Sequence, residues 1–74
     1  MNPARWLVVV GLPGTEPAAV RIVPGDTSRA DVYALARDCA RIWAAPVRVW
    51  AVDAEGERMP AASFPDPARL RHEG

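Results

Sequence analysis

Lysine is missing altogether: all nine basic residues of this 74-residue chain are arginine. That removes Schiff-base chemistry on a side-chain ε-amine, the lysine of a phosphate-binding loop and any isopeptide acceptor. Cysteine and histidine occur once each, as Cys39 and His72. No intrachain disulfide can form, and the clustered ligands of a zinc site are absent. The single thiol fits a reducing compartment, and no metal or other cofactor is expected. Charge of one sign is not in excess either, since nine arginines balance nine carboxylates. Such a chain projects no global field toward phosphate backbones or anionic lipid, so nucleic acid is not the expected partner. Long apolar runs are also lacking. Trp6 to Val10 spans five residues and stops at Gly11-Leu12-Pro13-Gly14, too short for a secretory signal or a bilayer span. The expectation is a cytoplasmic protein with no membrane partner.

A chain of this length is one domain, near the lower size limit for a core held by burial alone, and buries only about 60% of its unfolded surface. With disulfide and metal set aside, a partner subunit is the remaining supplement to stability. Little is left over for an active-site cavity, and no catalytic residue is assigned. The abundance of alanine and the use of arginine in place of lysine point to a GC-rich bacterial genome.

Apolar periodicity places the elements. Arg5 to Val10 is β-branched and apolar on both faces, which predicts a strand covered on both sides or one whose second face binds. Ala18 to Val23 alternates, with Val20 and Ile22 on one face and Arg21 on the other, and ends at Pro24-Gly25; the two strands form a hairpin. Ser28 with Asp31 three residues on approximates a capping box. From Ser28 to Ala44, the residues Val32, Leu35, Ala36, Cys39, Ile42 and Trp43 recur on one helical face, opposite Arg29, Asp31, Arg37, Asp38 and Arg41. Pro46 ends the helix. Val47, Val49 and Ala51 alternate with Arg48, Trp50 and Val52 in a third strand, Asp53-Ala54-Glu55-Gly56 makes a turn, and Glu57-Arg58-Met59 returns as a short edge strand limited by Pro60. The fold class is α+β: a small mixed sheet with the helix packed on one face. Residues 1–64 form the domain and residues 65–74 a polar, proline-containing tail.

This layout resembles the ubiquitin-like β-grasp superfamily. The resemblance rests on the leading hairpin, on Val23-Pro24-Gly25-Asp26-Thr27 entering the helix, and on Arg48-Val49-Trp50 followed by Asp53-Ala54-Glu55-Gly56-Glu57-Arg58, and covers about residues 5 to 64. It implies a helix grasped by a sheet whose outer face binds other proteins. Two features depart from the pattern. The family's last strand, inserted beside the first, has no clear counterpart in Phe64 to Gly74, which implies a central strand short of a neighbour and open to strand addition by a partner. The chain also ends Glu73-Gly74 where the carriers end Gly-Gly. A looser similarity, in length, in Arg37-Asp38-Cys39 and in Val47-Arg48-Val49, is to the small β-grasp subunits of bacterial multicomponent di-iron monooxygenases, which implies an accessory role.

Weighed singly, the chemistry-bearing residues read as structural. Cys39 sits on the apolar helix face as a small buried hydrophobe, late in a helix whose dipole opposes a thiolate. His72 lies near the terminus, Gly11-Leu12-Pro13-Gly14 lacks the lysine and following helix of a phosphate loop, and Asp53, Glu55 and Glu57 make a solvated turn. The tryptophans carry more information. Trp43 is expected in the core. Trp50 and Val52 alternate with the core residues of their strand, and Trp6, Val8 and Val10 share one face of theirs. If both sets lie on the outer sheet face, with Arg21 and Arg48 beside them, they form an apolar patch of the kind that docks a protein. The alternative is that Phe64 and Leu70 fold back over it, and a slip of one residue in register would exchange the faces. The expected function is a non-catalytic interaction module or accessory subunit that binds a larger protein subunit. The alternatives are a ubiquitin-like carrier activated at Gly74 and a small homodimeric protein.

Overall fold

The chain turns back on itself at Leu12, whose carbonyl accepts both the Thr15 N–H at 3.3 Å and the Thr15 hydroxyl at 2.7 Å. This turn joins β1 (Arg5–Val10) to β2 (Ala19–Pro24) in an antiparallel hairpin. The computed structural model describes residues 2–65, and in it α1 (Arg29–Trp43), β3 (Val47–Val52) and β4 (Arg58–Phe64) follow. The four strands form one sheet in the order β2-β1-β3-β4, and every pairing is antiparallel. The class is α+β as expected, but the sheet is not mixed. Because α1 carries the chain from β2 to β3 over the intervening β1, the strands it links run parallel without touching. The central strand is not short of a neighbour either, since β3 takes the place beside β1.

Helix α1 begins where its cap requires. Ser28 is extended, with ψ at 149°, and its hydroxyl accepts the Asp31 N–H at 3.2 Å. The helix ends at Ala44, which adopts the left-handed region at φ 49° and donates its N–H to Ala40 O, which also accepts the Ala45 N–H at 3.2 Å. Glycine usually holds that position, because a Cβ crowds the following carbonyl. Val32, Ala36, Cys39 and Ala40 are the buried residues of α1, a stripe at the i, i+4, i+7, i+8 spacing. Cys39 is therefore the buried hydrophobe its position suggested. Trp43 and Ile42 are not: they are 48% and 79% exposed. At about 100° per residue Trp43 shares the azimuth of Val32, so its exposure comes from its place in the last turn, past the surface the helix covers.

Pairing register sets the two faces of the sheet, because residues directly opposite each other in antiparallel strands share a face. Toward the helix lie three rows across β2, β1, β3 and β4: Val23–Trp6–Ala51–Met59, Arg21–Val8–Val49–Ala62 and Ala19–Val10–Val47–Phe64. Trp6, Val8, Val10, Val47 and Val49 are at most 3% exposed and form the core with the helix stripe. Their placement corrects the expectation that Trp6, Val8 and Val10 lie on the outer face. It also places Arg21 on the helix side, and Val20 and Ile22 outside. The physical reason is area: turning β1 this way buries an indole and two valines, where the opposite choice would bury only Leu7 and Val9.

Strand β4 runs seven residues, straight through Pro60, and longer than the three-residue return expected. Proline is admitted because β4 is an edge and because the β3–β4 register shifts between Val49 and Trp50, a bulge that absorbs one extra residue. Tyr33 ties the helix to this strand. Its hydroxyl donates to Ala61 O at 3.2 Å and accepts from the Arg29 guanidinium at 2.8 Å, and its ring meets Phe64 edge-on at 5.8 Å. Gly25 closes the other end: a Cβ there would stand within 2.6 Å of the Ala4 carbonyl oxygen and collide with that of Pro3.

Two substitutions test these backbone constraints by urea denaturation. Ala44→Gly is expected to raise unfolding stability by about 0.5–1 kcal/mol, by removing a Cβ from the left-handed cap. Gly25→Ala is expected to lower it by about 1–3 kcal/mol, the usual cost of forcing extra volume into a packed site.

Candidate functional site

The face of the sheet away from the helix is also built of three rows. The middle one, Ile22–Leu7–Trp50–Pro60, is apolar across all four strands. On one side of it lies Val20–Val9–Arg48–Ser63, and on the other Pro24–Arg5–Val52–Arg58. Ile22 is 70% exposed and Val20 50%. Both are β-branched residues that fit a pleated sheet, which explains their place in a strand but not their exposure. Leu7, Val9, Arg48 and Trp50 are half-buried, and Val52, also on this face, is buried.

Trp50 organises the polar part of the site. The Arg48 and Arg58 guanidinium carbons lie 5.5 Å and 5.6 Å from its ring centroid, one from each flanking row, within the range of cation–π attraction. The strand residues of this face carry three arginines, Arg5, Arg48 and Arg58, and no carboxylate. Among the described residues the one ion pair joins Arg41 to Asp38, on the helix, so none of these guanidinium groups has an ion-pair partner among them. A depression of about 610 Å³ runs beside Trp50 from Val9 and Arg48 to Arg58, bounded at its far end by Glu55, Gly56 and Glu57. Arg48 Nε is buried, with no hydrogen-bond partner among the described residues.

The β3–β4 turn that supplies Glu55 and Glu57 is fixed by Asp53. Its carboxylate accepts the Glu55 N–H at 3.0 Å and the Glu57 N–H at 2.9 Å, while Gly56, at φ 85°, takes the left-handed position. This is the local hydrogen bonding that makes aspartate a turn residue, and the acidic turn is solvent-exposed as read from the sequence. Among the described residues no group of three or more His, Cys, Asp and Glu side chains is placed to hold a metal ion. None of the helices among them is long and apolar enough to cross a membrane.

Of the seven residues singled out by sequence, Trp50, Val52 and Arg48 lie on the outer face, Trp6, Val8 and Val10 are core, and Arg21 is exposed on the helix side. Leu7, Val9, Val20 and Ile22 were missed, as were Arg5, Arg58 and Pro60 of the same face. The signal that could have found them is the pairing partner: Val23 directly precedes Pro24-Gly25, and a hairpin register that sets it against Trp6 turns Val20 and Ile22 outward. Leu70, His72 and Gly74, and the tail as a whole beyond Pro65, lie outside the described residues.

Trp6 and Trp50 therefore predict opposite phenotypes. Trp6→Asp puts a carboxylate where the side chain is 3% exposed, and is expected to abolish folding. Trp50→Asp places one between two arginines, and is expected to keep the cooperative thermal transition, with a stability change within about 2 kcal/mol. Far-UV circular dichroism melts of both variants decide the matter.

Compared with protein-family models, with curated proteins and with solved structures, the chain matches none.

Proposed function

We propose that the chain is a non-catalytic protein-binding module, an accessory subunit that docks a larger protein on the outer face of its sheet. The observation that carries this reading is the apolar row Ile22–Leu7–Trp50–Pro60, which no other described element covers, flanked by Arg5, Arg48 and Arg58. Contiguous exposed apolar surface costs solubility, and tryptophan and arginine together are the residues most enriched at the energetic centres of interfaces. The fit is to a partner surface with an apolar centre and carboxylates around it: the apolar row supplies burial, and the guanidinium groups supply fixed hydrogen-bond forks that match carboxylates. A β-grasp-like relationship belongs to the same proposal. The hairpin, the helix and the outer face as binding surface follow that pattern, with β3 standing beside β1 where the family places its last strand.

Capture of partners by the tagged chain from its own host tests this. Trp50→Asp and Arg48→Glu are expected to weaken the recovered complex at least about tenfold, and raising the salt is expected to weaken it further. Trp43→Asp, at the exposed end of α1, is expected to leave it unchanged. Equal loss from Trp43→Asp, or none from Trp50→Asp in a folded protein, would place binding elsewhere.

A further inference from the structure

We propose that two copies of the chain pair antiparallel along β2, joining their sheets into one of eight strands. Among the described strands β2 and β4 lie at the sheet's edges, and they differ. In β4, Pro60 lacks an N–H and the bulge breaks the ladder, two devices that protect an edge from pairing. In β2 six residues pair with β1 in unbroken register, proline comes only at the last, and Arg21 is the one charge. Helix α1 packs over β1, β3 and β4 and hardly touches β2, so Val20, Arg21 and Ile22 are exposed whichever face they occupy.

The free backbone groups of this edge can be assigned. Gly11 N–H donates to Pro46 O at 2.8 Å, on the β3 side. Backbone groups alternate in direction along a strand, so the odd-numbered residues of β1 bond β3 and the even-numbered ones bond β2. Their partners Ala19, Arg21 and Val23 return those bonds, which leaves the N–H and C=O of Val20 and Ile22 aimed off the edge. The nitrogen of Pro24 faces the same way, so no bond within the sheet is lost there, but it offers no N–H to a strand paired along this edge.

A second copy fits this edge by charge and by pattern. The chain has no net charge to hold copies apart, a condition that favours self-association. A two-fold pairing centred on Arg21 would set guanidinium against guanidinium, which is destabilising. Centred on Ile22, the pairing sets Ile22 against its own copy, Val20 against Pro24 and Arg21 against Val23, with no like charges opposed. Both outer faces then lie side by side, still open to the partner proposed above.

The test uses the purified full chain. Sedimentation from micromolar to millimolar concentration is expected to show a dimer whose dissociation constant rises about tenfold or more in Ile22→Lys, which sets two ammonium groups on the axis. Trp50→Asp, two strands away, is expected to leave it unchanged. Air oxidation of Ile22→Cys is expected to give a disulfide-linked dimer, because the two Cα atoms stand about 5.5 Å apart across the axis. Val20→Cys, at about 14 Å from its own copy, is expected to stay monomeric on denaturing gels, and native Cys39 is buried. A monomer at every concentration overturns the proposal, whatever the protection of the β2 amides. So does a dimer dissolved by Trp50→Asp and not by Ile22→Lys, which would be joined through the outer faces. The first result leaves capture of a different protein untouched, whereas the second would show the outer face occupied by a second copy, so the two proposals fail distinguishably.

Discussion

Trp6 stands on a middle strand of four, and the side it takes fixes every other face in the sheet. Its indole is 3% exposed beneath the helix, with the Arg29 guanidinium 5.2 Å from its ring centroid. Burial of a side chain of that size is among the largest single contributions available to a small core, about 1.5–3 kcal/mol or more by area. Once it points inward, antiparallel pairing sends Val23 and Ala51 inward with it. Leu7, Ile22 and Trp50 must then point out. The exposed row is thus the geometric complement of the core and not a separate design.

That complement has a chemical character of its own. A solvated sheet face usually carries polar residues at these positions, whereas here the alternating partners of the core are mostly leucine, valine, isoleucine, proline and tryptophan, broken by Arg5, Arg48, Arg58 and Ser63. The Arg48 and Arg58 guanidinium groups both lie within cation–π range of the Trp50 ring, a contact that would restrict a large side chain ahead of the proposed docking. Preorganisation of that kind lowers the entropy lost on binding. The proposed edge pairing rests on backbone groups and the proposed face docking on side chains; the two meet at Ile22, which ends the apolar row and lies on the axis of the pairing.

The helix shows the same limit from another side. Its cap, its length and the burial of Val32, Ala36 and Cys39 follow from spacing alone, and Ser28 and Pro46 mark its ends in the chain. Trp43 satisfies the spacing equally well but stands half exposed, because periodicity gives azimuth around a helix and not how far the surface beneath it extends. Pro60 is the corresponding case in the sheet. Its missing N–H excludes a central strand, yet a bulge and an edge position let β4 run on for four more residues.

By itself the sequence determined the element order, the hairpin, the helix cap, the acidic turn and the alternation that separates Trp50 from Val47 and Val49. Those are local properties, set by turn residues, capping hydroxyls and periodicity within one segment. Tertiary structure alone decided which side of β1 faces the helix, since Trp6-Leu7-Val8-Val9-Val10 is apolar on both and offers no contrast to read. It also decided that every pairing in the sheet is antiparallel, with β3 beside β1, because strand order depends on where α1 sets the chain down. The exposed row crosses four strands drawn from distant parts of the chain, and only their pairing brings it together.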